Sequence, residues 1–194
     1  VLFRSRVLKT LDVDSTALGF SGGFPGDFIA QTLEDSNIQS DFVQVDEDTR
    51  INVKLKSGQE TEINAPGPKV THAQFEQLLS QIRRTTNDDI VIVAGSVPNS
   101  IPSDAYAQIA QITEKTGAQL VVDAEKDLVE TVLPYRPLFI KPNKDELEVM
   151  FNTTVKSDED VIKYGKEILK KGAQSVIISL GGDGARSEER RVGK

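Results

Sequence analysis

An amide and a carboxylate stand three residues apart in KPNKDELEVM, as Asn143 and Glu146. At that spacing two helical residues share a face. Asn143 and Glu146 could therefore hold a metal–phosphate complex through water, with Lys141 adding positive charge. Asn-x-x-Glu at a helix start is equally the spacing of a capping box, which the local sequence alone favours. A second candidate is SLGGDGA, residues 179–185. Its glycines would offer unobstructed backbone N–H groups to a phosphate. It has neither the Gly-Lys-Ser of a Walker loop nor the third glycine of a dinucleotide fingerprint, and a plain glycine turn accounts for its spacing as well. In TRINVKL, strand alternation puts Arg50, Asn52 and Lys54 on one face, where two cations could lean toward one anion. A solvated polar face is the simpler account of the same pattern. Asp123 ends an apolar stretch and could orient a ligand hydroxyl or cap the helix that follows. His72, the single histidine, reads as a surface residue beside a helix start.

Such residues need a scaffold that brings them to one edge. RVLKTLDVD reads as a helix end and STALGFSGGF as a strand with its turn. DFIAQTLEDS reads as an amphipathic helix with Phe28, Ile29 and Leu33 on one side. Three short strand-like pieces follow, DFVQV, TRINVKLK and ETEINA, the last two joined by the hairpin signal Ser57-Gly58. Beyond the breaker PGP at 66–68 the pattern changes. Amphipathic helices now alternate with the apolar strands DIVIVAG, AQLVVD, PLFIK and AQSVIISLG. That alternation specifies a doubly wound, mostly parallel sheet with helices on both faces, a three-layer α/β/α arrangement. The polar strands at 41–64, with part of 15–24, are expected to form a small β lid outside it. In open α/β sheets ligands sit beyond the strands' C-terminal ends. GFSGGF, AGSVPNS, VVDAEKD, IKPNKDE and SLGGDG all fall there, which points to an anion-binding cleft.

Composition narrows the chemistry. The chain has 194 residues and a formal net charge of −7, which argues against nucleic acid as the main partner. Without cysteine and with one histidine, thiolate and multi-histidine metal centres are excluded. No apolar run is long enough to span a bilayer, and no secretory h-region is visible, so the cytoplasm is the default location. The ends form a case apart. VLFRS can be encoded by GTG CTC TTC CGA TCT, whose reverse complement is AGATCGGAAGAGCAC, and RSEERR can be encoded by AGA TCG GAA GAG CGT CGT, which starts with the same bases. Residues 1–5 and 186–194 therefore read as one adapter-like DNA element translated in two orientations, packing on nothing in particular, around a genuine segment 6–185.

Taken together, GFSGGFPGDFI, DTRINVKL, ETEIN-x-x-GP, AGSVP, IKPN-x-x-EL and ISLGGDGA resemble the PfkB (ribokinase-like) carbohydrate kinases, in the family's order and spacing across residues 6–185. Among these the 1-phosphofructokinase branch is most similar. The resemblance implies ATP-dependent phosphorylation of D-fructose 1-phosphate at O6, Mg²⁺ as cofactor, and a β lid that can serve as a homodimer interface. Carried over by motif, Arg50, Asn52, Lys54, Ser96 and Asp123 would meet the sugar phosphate. Lys141, Asn143, Ser179, Gly181 and Gly184 would meet ATP, and Glu146 would act indirectly on Mg–ATP. Alternatives are a tagatose-6-phosphate kinase, another PfkB sugar kinase, or a non-catalytic sugar-phosphate-binding protein. The sequence departs from the family at Ala124-Glu125, where a Ser-Gly pair is frequent, and at Asp145, where some relatives carry lysine. The family's Asn-Pro-x-x-Asp strand, its Gly-Gly-Lys-Gly-x-Asn loop and the aspartate base of its Gly-x-Gly-Asp segment do not occur here. No catalytic residue is therefore assigned, and the sheet is expected to expose an apolar edge.

Overall fold

The computed structural model describes residues 2–57, 59–124 and 126–189. The chain divides into two compact units, residues 1–80 with 98–102, and residues 81–97 with 103–194.

In the first unit, helix α1 (Leu2–Thr10) precedes strand β1 (Thr16–Ser21), helix α2 (Gly23–Asp35) and strand β2 (Gln39–Gln44). β1 and β2 pair in parallel, Thr16 opposite Gln39 through Ser21 opposite Gln44. Their core is Ala17, Leu33 and Ile38, with Ile29 and Phe42 packed against it. The expected apolar face of α2 needs correction at Phe28, which is exposed along with Phe24. The helix starts at Gly23, and its buried stripe runs through Pro25, Gly26 and Leu33. At 100° per residue, Phe24 and Phe28 lie on the neighbouring stripe.

Strands β3 (Asn52–Ser57) and β4 (Gln59–Asn64) form an antiparallel hairpin of their own. The expected single layer over 41–64 is thus divided: β2 pairs with β1, and only β3 and β4 make the projecting ribbon. Buried Val43 and half-buried Phe42 give β2 a core to join, whereas no described residue of the hairpin is buried. The turn residue Gly58 lies outside the described residues. Helix α3 (His72–Ile82) follows, with His72 exposed at its first position, as the sequence suggests.

The second unit holds a five-stranded sheet in the order β5-β6-β7-β8-β9. Its strands are Ile90–Ala94, Gln119–Asp123, Phe139–Ile140, Ser175–Ser179 and Ala185–Glu189. The first four are parallel, and β9 returns antiparallel to β8. Connections run through α4 (Ala105–Thr116), α5 (Lys126–Val132), and α6 (Lys144–Phe151) with α7 (Asp158–Lys171). Consecutive Leu120, Val121 and Val122 of β6 are all buried, the signature of a strand covered on both faces. Buried Tyr106, Ile109 and Ala110 of α4, Leu147 of α6 and Ile168 of α7 line the helices. At the outer edge, β5 exposes Ile90 by 56% and Ile92 by 43%, the apolar edge expected from the sequence.

The ends correct one expectation. Residues 186–189 do not hang free: they complete β9, Ser179 opposite Ala185 through Ser175 opposite Glu189. The Arg186 guanidinium also pairs with Asp158. An antiparallel ladder is made by backbone groups, so it recruits almost any sequence placed after a tight turn. At the other end residues 2–5 begin α1, with Ser5 buried and Phe3 exposed. Val192 lies outside the described residues.

Candidate functional site

The C-terminal ends of β5 to β8 carry most of the residues marked by the sequence. Backbone bonds stitch these ends together beyond the regular ladder. Gly95 N–H donates to the Asp123 carbonyl (3.4 Å), Lys141 N–H to the Val122 carbonyl (3.1 Å), and Ser179 N–H to the Pro142 carbonyl (3.0 Å). A parallel bridge pairs Asn143 with Ser179. Ser96, Asp123, Lys141, Asn143, Glu146 and Ser179 thereby sit on four successive strand ends of one sheet.

The start of α6 answers the question left open by Asn143 and Glu146. Asn143 Oδ1 accepts from the Glu146 N–H (2.8 Å), and Glu146 Oε2 accepts from the Asn143 N–H (2.8 Å), a complete capping box. Two orphan amides of the first turn are satisfied reciprocally. The box engages one carboxylate oxygen, and the second oxygen of Glu146 and the Asn143 Nδ2 are not part of it. Cap and ligand-holding roles are compatible on these atoms.

Lys141 and Asp123 form an ion pair at 3.2 Å, across the ends of β7 and β6. The Asp123 side chain is 19% exposed and that of Lys141 40%. A pair this open contributes at most about 1 kcal/mol to stability, so its main consequence is to orient the ammonium. Behind the β5 turn, the Tyr106 hydroxyl donates to the Gly95 carbonyl (2.7 Å). It fixes a glycine at φ +98 immediately before the exposed Ser96. Tyr106 went unmarked in the sequence because it reads only as a core position of an amphipathic helix.

SLGGDGA forms the tight turn between β8 and β9, with Gly181 at φ +61 and Gly184 at φ +90. The Leu180 N–H donates to the Gly184 carbonyl (2.8 Å), Asp183 N–H to that of Leu180 and Gly184 N–H to that of Gly181. Added Cβ atoms at Gly181, Gly182 and Gly184 would meet nothing within 4 Å. At Gly181 and Gly184 the glycines therefore serve backbone conformation, and the space around them is open to a ligand.

Arg50, Asn52 and Lys54 belong to the first unit. Arg50 is exposed, two residues ahead of β3. Across the hairpin Asn52 faces Asn64 and Lys54 faces Glu62. The Lys54 ammonium is paired with the Glu62 carboxylate. Hydrogen bonding from Lys54, then from Asn64, with the Lys54 charge behind them, holds the Glu62 carboxyl below the usual glutamate range. The pictured two-cation clamp is thus reduced: Lys54 already has an anion, and Arg50 lies off the strand. The other face of the hairpin is apolar, with Ile51, Val53, Leu55 and Ile63 exposed.

Among the described residues, no three His, Cys, Asp or Glu side chains gather as a metal-binding group, and no helix is long and apolar enough to cross a membrane. The family model for pfkB carbohydrate kinases matches residues 4–191. A 1-phosphofructokinase of Bacillus subtilis is 43% identical over 93% of the chain and 60% of its own length. A D-tagatose-1-phosphate kinase of Bacillus licheniformis is 37% identical over 96% of the chain and 62% of its own. A crystal structure assigned as a phosphofructokinase from Staphylococcus aureus superposes with a TM-score of 0.83 at 77% identity, covering 96% of this chain and 61% of that one. The chain spans about 60% of the length of the curated relatives it matches.

Proposed function

The chain belongs to the pfkB family of carbohydrate kinases, and we propose that it carries the sugar-phosphate- and nucleotide-binding parts of a kinase that phosphorylates D-fructose 1-phosphate at O6 with ATP. The observation that carries this reading is the backbone stitching of four strand ends, which presents Asp123, Lys141, Asn143, Glu146 and the Ser179–Gly184 turn on one edge. In this reading Lys141 and Asn143 serve the phosphates of ATP, and Ser179, Gly181 and Gly184 contact the nucleotide. Ser96 and Asp123 address sugar hydroxyls, and Arg50 receives the phosphate of the sugar, with Asn52 beside it. Lys54 assists only if it leaves Glu62.

Mg²⁺ suits this donor set. It keeps most of its waters and binds through substrate phosphates rather than a protein cage, so the second Glu146 oxygen at α6 would accept from its water shell, and Asn143 Nδ2 would donate to a phosphate oxygen. The ion supplies charge neutralisation to the transferring phosphoryl group. Asp183 lies in the β8–β9 turn, and no residue of this chain is given the role of base. Residues 6–185 form the kinase portion, the setting is the cytoplasm, and the exposed apolar face of β3–β4 pairs two copies.

The tagatose-phosphate reading is favoured by the Bacillus licheniformis relative. Calorimetry of the chain with fructose 1-phosphate, tagatose 1-phosphate and tagatose 6-phosphate separates the sugars, and Mg–ATP tests the nucleotide edge. Binding of neither sugar phosphate nor Mg–ATP would overturn the proposal. A turnover above about 1 s⁻¹ in an ADP-release assay, within the usual kinase range, would show that the base is present after all.

A further inference from the structure

Two loops of the first unit interlock immediately ahead of Arg50. The Gly22 N–H donates to Thr49 Oγ1 (3.0 Å), and the Thr49 N–H donates back to the Gly22 carbonyl (2.8 Å). One rung earlier, the Val45 N–H donates to the Ser21 carbonyl (2.9 Å), which carries the β1–β2 pairing out to this point. The glycines here have no room for side chains. A Cβ at Gly22 would overlap the Glu47 carbonyl, and one at Gly23, at φ +59, would overlap the Asp48 carboxylate. At Gly26 it would overlap Ser21 Oγ and press on Thr49 Oγ1 at 3.1 Å. Thr49 is thus seated against the Gly-Gly turn by hydrogen bonds as well as by shape, and Asp48 by shape.

We infer that Thr49 is a positioning residue for Arg50, holding the guanidinium where the proposed sugar phosphate arrives; this rests on the reading of Arg50 given above. The geometry leaves Arg50 little slack. Thr49 is the last residue tied to the β1–β2 end, and β3 begins at Asn52. Only Arg50 and Ile51 join the two. A guanidinium–phosphate contact is directional and often bidentate, so an arginine at the end of a loose linker loses much of its value. A side-chain hydroxyl is what the latch needs. Serine would retain the acceptor for Gly22, and isosteric valine would remove it while filling the same space.

The test uses the whole chain, with Thr49→Val, Thr49→Ser and Arg50→Ala variants. Two measurements apply: amide hydrogen exchange at Gly22, and calorimetry with fructose 1-phosphate and separately with Mg–ATP. Loss of one hydrogen bond should speed Gly22 exchange by about fivefold to tenfold in Thr49→Val. Fructose 1-phosphate should bind about tenfold more weakly in that variant, with Mg–ATP affinity unchanged. Thr49→Ser should restore both values. Thr49→Ala, read the same way, serves if the valine variant does not fold. Unchanged Gly22 exchange in Thr49→Val overturns the latch. Faster exchange with unchanged sugar-phosphate affinity, where Arg50→Ala does weaken binding, overturns the positioning role. Failure of the unsubstituted chain to bind fructose 1-phosphate overturns the substrate reading and the role that rests on it, whatever the exchange rates.

Discussion

The strand ends of β5 to β8 and the β3–β4 hairpin hold their polar residues by different means. At the strand ends the backbone does the placing: Gly95, Lys141 and Ser179 each donate an N–H to a carbonyl at the end of a neighbouring strand, and side chains ride on a fixed frame. On the hairpin only side chains set the polar face, as in the Lys54–Glu62 pair, and the ribbon has no buried residue of its own among those described. A two-stranded ribbon is marginal by itself. The frame should therefore fail on changes that remove a backbone donor, while the polar face of the hairpin should respond to single side-chain changes.

The largest effect is expected from Ser179→Pro. It removes the N–H donated to Pro142 and disturbs the strand that leads into the glycine turn. A loss of about 3 kcal/mol in urea denaturation is expected, with Mg–ATP affinity falling alongside. Stability within error of the parent would refute the stitched frame. Next comes Arg50→Ala, which should weaken fructose 1-phosphate by about 2 kcal/mol, roughly thirtyfold in Kd. Mg–ATP affinity and the unfolding midpoint should both stay put, and equal losses for the two ligands would instead make Arg50 structural.

Asn143→Ala tests whether cap and ligand roles coexist on α6. Loss of the N-cap should cost about 1 kcal/mol, whereas Asn143→Asp keeps an acceptor for the Glu146 N–H and most of that stability. If Asp restores stability but not Mg–ATP affinity in calorimetry, the amide has a ligand role beyond the cap. Recovery of both would leave it a cap alone.

The smallest effect concerns acid. Glu62 has its pKa lowered by Lys54 and Asn64, so its folded state binds fewer protons than the unfolded chain just below the usual glutamate range. Its stabilising contribution is fully present above that range and is lost as pH falls through the lowered folded value. Lys54→Met should raise the Glu62 midpoint, followed by carboxyl-carbon NMR, back toward the ordinary range. An unmoved midpoint would show that Lys54 is not its partner in solution, and would return that lysine to the anion clamp.

What could be read from the chain alone was whatever acts over a turn of helix or along one strand. The run of apolar strands and amphipathic helices after PGP dictated the sheet and its layers, because period and burial are one signal. Asn143 and Glu146 dictated the capping box, since both of its bonds close within three residues. Glycine at 181 and 184 marked a turn, because φ +61 and +90 exclude most other residues. Partners distant in sequence were decided only by the tertiary structure. It gave β2 to β1 rather than to the hairpin, turned Phe28 outward, and folded residues 186–189 back as β9. It also set Lys54 against Glu62, Lys141 against Asp123, and Thr49 against Gly22 across 27 residues of chain. Such pairings depend on strand register and on which loops close beside one another. Many arrangements satisfy the same local pattern, and the packed core selects among them.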